Sequence, residues 1–192
     1  MKSKAVFLDR DGTINIDYGY VKSPEEVVIF DGVAQSLKKL KDKGFLLIVV
    51  TNQSGVARGY MTEQDVQKTN DYINSLIKKE ASVEIDRFYY CPYHPDFSLP
   101  ELSKCRKPSP LMVLQAVEDF NIDLSKSYFI GDTITDMQCA NNANVNKSIM
   151  VKTSKYNELD KLKTVENIKI DFIADNFIQA VNYILKDISE EN

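Results

Sequence analysis

Short apolar segments of strand length alternate along the chain with longer segments in which apolar residues recur at helical spacing. Six apolar segments are expected to be strands: residues 5–8, 45–50, 88–90, 128–130, 148–151 and 170–173. Apolar residues throughout such a segment are typical of strands that helices cover on both faces. The alternation predicts an α/β fold: a three-layer Rossmann-like sandwich with a mostly parallel central sheet.

Five of the intervening segments have the features of helices. They are residues 33–43, 63 to at least 77, 111–120, 133–143 and 175–186. Thr62 is a candidate N-cap, Pro110 is placed to open a helix, and Gly44 is a candidate C-terminal cap. Residues 91–109 contain four prolines and are expected to form one long irregular loop close to the functional site.

Length and composition fit one compact unit. The 192 residues, 43% of them hydrophobic, suffice for one sizeable core and are few for two. We therefore expect a single domain over residues 1–192. No large cap domain is expected, because the segments between motifs are largely occupied by a helix and a strand. We also expect a monomer.

Charge and hydropathy argue against nucleic-acid and membrane partners. Lys and Arg number 24 and Asp and Glu 28, which gives a formal net charge of −4 without a long basic tract, so nucleic-acid binding is not expected. There is no apolar stretch of about 18 residues and no cleavable signal pattern after Met1, so we expect a cytoplasmic protein that does not engage a membrane.

Reduced thiols are expected for Cys91, Cys105 and Cys139.

Polar residues follow three of the expected strands at the point where each strand ends. They occupy residues 9–13, 51–55 and 131–136. Reactive groups collect at the carboxyl ends of parallel strands, and Mg²⁺ prefers the carboxylate oxygens that Asp9 and Asp132 can offer. A single Asp after a strand is as readily a cap or turn residue. Three such strand ends together favour a metal site.

The pair Asp9 and Asp11 allows a division of labour. Asp9 can attack phosphorus, while Asp11 can protonate the leaving oxygen and later activate water. Gly12 permits the chain to turn away sharply after the strand. Thr51, Asn52 and Lys107 can supply the donors and the cation that phosphoryl transfer requires. Taken alone, an Arg-Lys pair in a loop favours a solvated surface, but the position of Arg106 and Lys107 just before a helix reverses that preference.

Four sets of residues, in this order within residues 5–136, resemble the motifs of the haloacid dehalogenase superfamily: Asp9-x-Asp11-Gly12-Thr13, Thr51-Asn52, Lys107, and Gly131-Asp132-x-x-x-Asp136. The longer strings 9–15, 51–60 and 105–108 are similar to those of D-glycero-D-manno-heptose bisphosphate phosphatases and the related histidinol-phosphate phosphatases. The resemblance implies a small phosphorylated sugar as substrate and Mg²⁺ as cofactor.

The resemblance also implies roles for individual residues. Asp9 would be the nucleophile, Asp11 the proton donor, and Thr51 and Lys107 the phosphate stabilisers. Mg²⁺ would be bound by Asp9, Asp132 and the carbonyl oxygen of Asp11. Residues implied to contact the substrate are Asp17, Tyr18, Gly19, Tyr20, Asn52, Gln53, Ser54 and Arg106. The two tyrosines are equally consistent with packing of the loop.

One segment departs from the family pattern. Relatives carry a zinc loop of the form Cys-x-His followed by Cys-x-Cys, whereas here His94 stands three positions after Cys91 and Ser103 occupies the position two before Cys105. A structural zinc takes four protein ligands, and Cys91, His94 and Cys105 offer at most three. We therefore expect no structural zinc, and expect packing and prolines to order the loop.

The sequence is compatible with three functions. The favoured one is a magnesium-dependent phosphatase acting on a heptose bisphosphate, with histidinol phosphate as the alternative substrate. A phospho-acceptor signalling domain also has acidic residues, a Thr and a Lys around a parallel sheet. It is disfavoured because the acceptor Asp of a receiver follows a later strand, and because Asp11 favours turnover. A catalytically silent relative is disfavoured because all the chemical residues are present.

Overall fold

A computed structural model describes residues 2–154, 158–165 and 167–190. Six strands form one parallel sheet in the order β3-β2-β1-β4-β5-β6. The strands are β1 (Lys4–Leu8), β2 (Phe45–Asn52), β3 (Arg87–Cys91), β4 (Tyr128–Gly131), β5 (Lys147–Val151) and β6 (Phe172–Ala174). The predicted α/β fold with a parallel central sheet is confirmed.

The α-helices connect these strands and cover both faces of the sheet. They are α1 (Val33–Asp42), α2 (Glu63–Ala81), α3 (Pro100–Ser103), α4 (Leu111–Phe120), α5 (Ile134–Asn142), α6 (Glu158–Leu162) and α7 (Phe177–Glu190). Two 3₁₀ helices occur at Pro24–Glu26 and Leu124–Lys126. Between the described strands no large cap domain is inserted. None of the helices in the described ranges is long and apolar enough to cross a membrane.

Alternation along each strand divides the core into two layers. In β1, Val6 and Leu8 face a cluster that includes the buried side chains of α1, α2 and α7. Ala5 and Phe7 face the opposite cluster, which includes the buried side chains of α4 and α5. Every residue of the central strand from Ala5 to Leu8 is fully buried, as its uninterrupted apolar sequence predicts.

Local signals place several helix ends correctly. Thr62 and Asp65 form a reciprocal capping box at the start of α2. Gly44 follows the end of α1 with a φ of 80°, the left-handed conformation that glycine adopts without strain. Pro110 is the residue preceding α4. These short-range interactions depend only on neighbouring residues, so the sequence reveals them directly.

The structure departs from the sequence expectation in several places, including β6, expected at residues 170–173, and α7, expected at residues 175–186. Strand β2 continues through Thr51 and Asn52 because both pair with β3. The loop of residues 91–109 contains the one-turn helix α3, and helix α6 was not expected at all. Both helices have only four or five residues, too few to show a helical period.

Candidate active site

The carboxyl ends of three adjacent strands define the site. Strand β1 lies between β2 and β4 in the sheet, so Asp9, Thr51 and Asp132 meet at one edge. The backbone N–H of Asp9 donates to the carbonyl oxygen of Ile130 at 3.0 Å, which fixes the ends of β1 and β4 together. The pocket at this edge has a volume of about 290 Å³ and is lined by all three residues. In a parallel sheet this is the position expected for a ligand site.

Three buried carboxylates converge at this edge. Oxygen atoms of Asp9, Asp132 and Asp136 lie within 4.8 Å of one another. Burial, against the opposing charge of Lys107, raises the pKa of Asp9 to about 6. Burial and the neighbouring charges of Asp9 and Asp136 raise the pKa of Asp132 well above its usual range. Such crowding of negative charge favours a bound cation.

Lys107 supplies a positive charge inside this cluster. Its Nζ lies 2.7 Å from Asp9 Oδ1 and 2.6 Å from Asp136 Oδ1, and it donates to the carbonyl oxygen of Val50 at 2.8 Å. Burial alone would lower the pKa of Lys107, but Asp136 and Asp9 outweigh that effect and hold the pKa above its usual range. The ammonium group is therefore charged at neutral pH and directed at the pocket.

Asn52 holds the backbone of Lys107. Its Nδ2 donates to the carbonyl oxygen of Lys107 at 3.2 Å, and its Oδ1 accepts from the N–H of Lys107 at 2.9 Å. The Asn52 amide thus uses one N–H donor and its oxygen acceptor in hydrogen bonds to the backbone of Lys107. Asn52 lines the pocket as the sequence expectation requires, but these contacts are those of a positioning residue.

Asp11 is held away from the three clustered carboxylates. Its carboxylate accepts hydrogen bonds from Arg10, from Asn15 at 2.9 Å and from Gln53 at 2.8 Å. Burial alone would raise the pKa of Asp11, but the charge and hydrogen bonds of Arg10, with those of Asn15 and Gln53, lower it. The Asp11 carboxyl group is therefore ionised at neutral pH. Asp11 lines the same pocket as Asp9.

Gly12 allows the two acidic segments to approach. A Cβ atom at Gly12 would lie 2.3 Å from Asp132 Oδ2, and the residue has a φ of 88°. Thr13 Oγ1 then donates to Asp132 Oδ1 at 3.1 Å. The sharp turn that the sequence predicts at Gly12 therefore also makes room for the Asp132 carboxylate.

Most of the residues expected to touch a substrate line the pocket. Those that do, besides Asn52, are Asp17, Gly19, Tyr20, Gln53, Ser54 and Arg106. Gln53 uses its amide to bind Asp11 and Thr51 Oγ1. Tyr18 is the exception: it is 63% exposed and lines a neighbouring surface depression. Its position two residues before Tyr20 in an irregular loop gave no information about the direction of its side chain.

The expectation of reduced thiols is wrong for two of the three cysteines. Cys91 and Cys105 form a disulfide with their Cα atoms 5.6 Å apart, while Cys139 is free and buried. Proximity explains the pairing, because the loop between them folds back on the end of β3. Both sulfur atoms of the candidate zinc set are therefore bonded to each other.

His94, the third candidate zinc ligand, has other contacts. It lines the pocket, its Nδ1 accepts from the N–H of Asp96 at 3.2 Å, and its Nε2 lies 3.3 Å from Arg58 Nη2. The displacement of His94 by one position relative to the family pattern thus coincides with a side chain directed at the pocket and at Arg58.

Several residues of the site were not predicted from the sequence. Arg10 is fully buried and donates to Asn70 Oδ1 at 2.9 Å as well as to Asp11. Asp136 received no role, although its spacing from Asp132 was a usable signal. Arg58 lines the pocket from the end of the 51–60 string. An isolated basic residue in a sequence is most often a surface residue, so Arg10 and Arg58 carried no signal of their own.

Comparisons with known proteins agree with this geometry. The HAD-hydrolase-like family model matches residues 104–180. A D-glycero-beta-D-manno-heptose-1,7-bisphosphate 7-phosphatase from Haemophilus ducreyi is 40% identical over 186 residues, which cover 96% of this chain and 100% of the relative. The D-glycero-D-manno-heptose-1,7-bisphosphate 7-phosphatase of Chlorobaculum tepidum is 44% identical, with 95% of each protein covered.

A solved structure extends the similarity to the fold. The D,D-heptose 1,7-bisphosphate phosphatase of B. bronchiseptica, complexed with magnesium and phosphate, superimposes with a TM-score of 0.83 at 26% identity. The alignment covers 96% of this chain and 99% of that chain. The chain therefore belongs to the HAD-like hydrolase family, in the group formed by these heptose-bisphosphate phosphatases.

Proposed function

We propose that this protein is a magnesium-dependent phosphatase that removes the 7-phosphate of D-glycero-D-manno-heptose 1,7-bisphosphate through a phosphoryl group carried on Asp9. The observation that carries the proposal is the convergence of Asp9, Asp132 and Lys107 in one pocket at the carboxyl ends of the central strands. The substrate follows from the names of relatives that are 40% and 44% identical.

The donor set fits Mg²⁺. Asp9 and Asp132 offer carboxylate oxygens within reach of each other, and the carbonyl of Asp11 is the proposed third protein ligand. Burial, and then the charges of Asp9 and Asp136, raise the pKa of Asp132, and a bound cation would counter both effects. Asp136 stays with Lys107 in this proposal, because its Oδ1 lies 2.6 Å from the ammonium group. Bound Mg²⁺ supplies neutralisation of phosphate charge during phosphoryl transfer.

In the first half of the reaction, a carboxylate oxygen of Asp9 forms a bond to phosphorus while the bond from phosphorus to the sugar oxygen breaks. Asp11 gives a proton to that departing oxygen, which leaves as the sugar hydroxyl. Lys107 Nζ holds Asp9 in place at 2.7 Å, and Lys107 and Thr51 both line the pocket, where they would donate to the phosphoryl oxygens of a bound substrate.

In the second half, water attacks phosphorus, its proton passes to Asp11, and the bond to Asp9 breaks to release inorganic phosphate. Asp11 gave up its proton in the first half of the reaction, and its lowered pKa keeps it ionised until the proton of the water arrives. To serve as the acid, Asp11 must first take up a proton. A phosphate dianion entering beside it raises its pKa and favours that uptake.

The further expectations from the sequence remain part of the proposal. We infer a single domain over residues 1–192 that works as a monomer in the cytoplasm, binds a small phosphorylated sugar, and engages neither nucleic acid nor membrane. The negative net charge of −4 supports the absence of a nucleic-acid partner, and the alternation of strands and helices supports a single domain.

A panel of phosphate esters tests the proposed activity. Purified protein with Mg²⁺ should release phosphate from the heptose 1,7-bisphosphate over many turnovers, and much faster than from histidinol phosphate. Faster turnover of histidinol phosphate would replace the substrate and keep the chemistry. A single equivalent of phosphate retained on the protein, without turnover, would instead favour a phospho-acceptor domain.

A further inference from the structure

The side chain of Glu158 contacts the turn between β4 and α5, which carries Asp132. Glu158 is the first residue of α6 and is buried, and its Oε2 accepts a hydrogen bond from the backbone N–H of Ile134 at 2.9 Å. Ile134 is the first residue of α5 and stands two positions after Asp132. The contact joins residues 24 positions apart, and the proposed reaction gives Glu158 no part.

The N–H of Ile134 needs an acceptor from outside its own helix. The first N–H groups of an α-helix have no partner within the helix, and a buried N–H without a partner is costly. The hydrogen bond to Glu158 is buried and meets this need. The carboxylate also lies at the amino-terminal end of α5, where a negative charge interacts favourably with the helix dipole. Both effects hold the start of α5 against Glu158.

A small pocket lies between the turn and α6. It has a volume of about 160 Å³, and Asp132, Glu158 and Leu159 are among the residues that line it. An open space offers no atoms for the turn to pack against on this side. The position of the turn here therefore depends on the hydrogen bond from Ile134 to Glu158.

A second contact from the chain after β5 supports the other turn of the proposed metal site. Thr153 Oγ1 donates to the carbonyl oxygen of Gly12. Gly12 follows Asp11, whose own carbonyl is the proposed third ligand of Mg²⁺. Thr13 Oγ1 joins the two turns, because it donates to Asp132 Oδ1 at 3.1 Å. The chain after β5 thus contacts both turns that carry proposed ligands.

We propose that Glu158 is a positioning residue of the Mg²⁺ site, which holds the turn between β4 and α5 so that the Asp132 carboxylate keeps the place that the metal requires. This inference rests on the proposed function, because it needs the Mg²⁺ site of Asp9 and Asp132. Glu158 does not line the pocket that contains Asp9, so it acts through the backbone of the turn. Groups that orient metal ligands from outside the coordination sphere change metal affinity when they are lost.

Two substitutions of similar size separate the hydrogen bond from the bulk of the side chain. Glu158→Gln keeps an oxygen that can accept from the N–H of Ile134, whereas Glu158→Met keeps the length of the side chain without that oxygen. Both remove the charge, so a difference between them reports on the hydrogen bond. Asp160→Met is the surface control, because Asp160 lies in the same helix, is exposed and pairs with Lys163.

Calorimetric titration with Mg²⁺ alone measures the effect without substrate. Glu158→Met should raise the dissociation constant for Mg²⁺ about 10- to 100-fold, while Glu158→Gln and Asp160→Met stay within about threefold of the parent protein. A role confined to stability would lower the melting temperature of Glu158→Met and leave its Mg²⁺ affinity unchanged. Equal dissociation constants for the Met and Gln variants of Glu158 overturn the positioning role.

Kinetics on the heptose 1,7-bisphosphate give a second measurement. Glu158→Met should need about 10- to 100-fold more Mg²⁺ for half of its maximal rate. Its kcat at saturating Mg²⁺ should stay within about threefold of the parent enzyme, because excess metal ion restores the occupied site by mass action. A loss of kcat that excess Mg²⁺ does not restore contradicts the role.

The outcomes separate this inference from the proposed function. If the parent protein binds Mg²⁺ and Glu158→Met weakens that binding, but no phosphate ester is hydrolysed, the proposed function fails and the positioning role stands. If the parent protein hydrolyses the bisphosphate and all three variants bind Mg²⁺ equally well, the positioning role is overturned and the function stands. A parent protein that binds no Mg²⁺ overturns both.

Discussion

The side-chain amide of Asn52 makes two hydrogen bonds to the backbone of Lys107. Its Oδ1 accepts from the Lys107 N–H at 2.9 Å, and its Nδ2 donates to the Lys107 carbonyl oxygen at 3.2 Å. The two residues are 55 positions apart. This pair of hydrogen bonds, the Asn52 clamp, fixes the loop that carries Lys107 to the end of β2. It therefore determines where the Lys107 ammonium group stands relative to Asp9.

Removing this clamp should reduce catalysis more than stability. We expect Asn52→Ala to lower kcat about 10- to 100-fold, because a displacement of a catalytic group by about 1 Å has effects of that size. The matched control is Asn74→Ala, which removes a similar hydrogen bond from an asparagine Oδ1 to the N–H of Ile85, outside the pocket. Steady-state kinetics and thermal melts of both variants check this. Equal activity losses in the two variants would contradict the positioning role.

Asp9→Asn should abolish phosphate release and stabilise the metal-free protein at neutral pH. Asp9 has a pKa of about 6 in the fold against an ordinary value of 3.8, so the native state binds more protons between these values and its stability falls as pH rises through them. The amide avoids this loss. A shift of about two pKa units corresponds to roughly 3 kcal/mol.

Denaturant unfolding without Mg²⁺ measures this effect. The stability gain of Asp9→Asn should be near zero below pH 4 and largest above pH 6. Added Mg²⁺ should stabilise the parent protein and reduce the difference. A gain that is the same at every pH would show that Asp9 is not the titrating group. Substantial remaining activity would remove Asp9 from the role of nucleophile.

Gly12→Ala should prevent Asp132 from taking its position. The new Cβ would lie 2.3 Å from Asp132 Oδ2, so we expect loss of activity and loss of thermal stabilisation by Mg²⁺. Gly44→Ala is the matched control, since Gly44 also has a positive φ, of 80°, but no atom within 4 Å of the added carbon. Both variants should lose about 1–2 kcal/mol through the left-handed backbone. Only the first should lose the response to Mg²⁺.

The disulfide predicts a specific thiol count. Denatured protein that has not been reduced should show one reactive thiol, from Cys139, and reduced protein should show three. Replacing both Cys91 and Cys105 by Ser should cost about 3 kcal/mol, the loss expected for opening a loop of this length. Cys139→Ser, which leaves the disulfide intact, is the control. Three reactive thiols before reduction would contradict the pairing.

Local patterns in the sequence predicted the fold and the positions of Asp9 and Asp132 at the strand ends. Uninterrupted apolar segments such as 5–8 identify buried parallel strands, because such strands have helices on both faces. Asp9 and Asp132 could be placed at strand ends because the apolar residues stop directly before them. Both conclusions depend on interactions between near neighbours and on the period of the chain.

Contacts between distant segments were decided only by the tertiary structure. The clamp of Asn52 on Lys107, the hydrogen bond of Arg10 to Asn70 and the meeting of Arg58 with His94 join residues 55, 60 and 36 positions apart. The Cys91–Cys105 disulfide likewise depends on how one proline-containing loop folds back. Such contacts are set by strand order, loop path and rotamer. No local period records these contacts. The sequence therefore determined the fold and the end of the sheet at which Asp9 and Asp132 meet, while the folded chain decided how the pocket is held and charged.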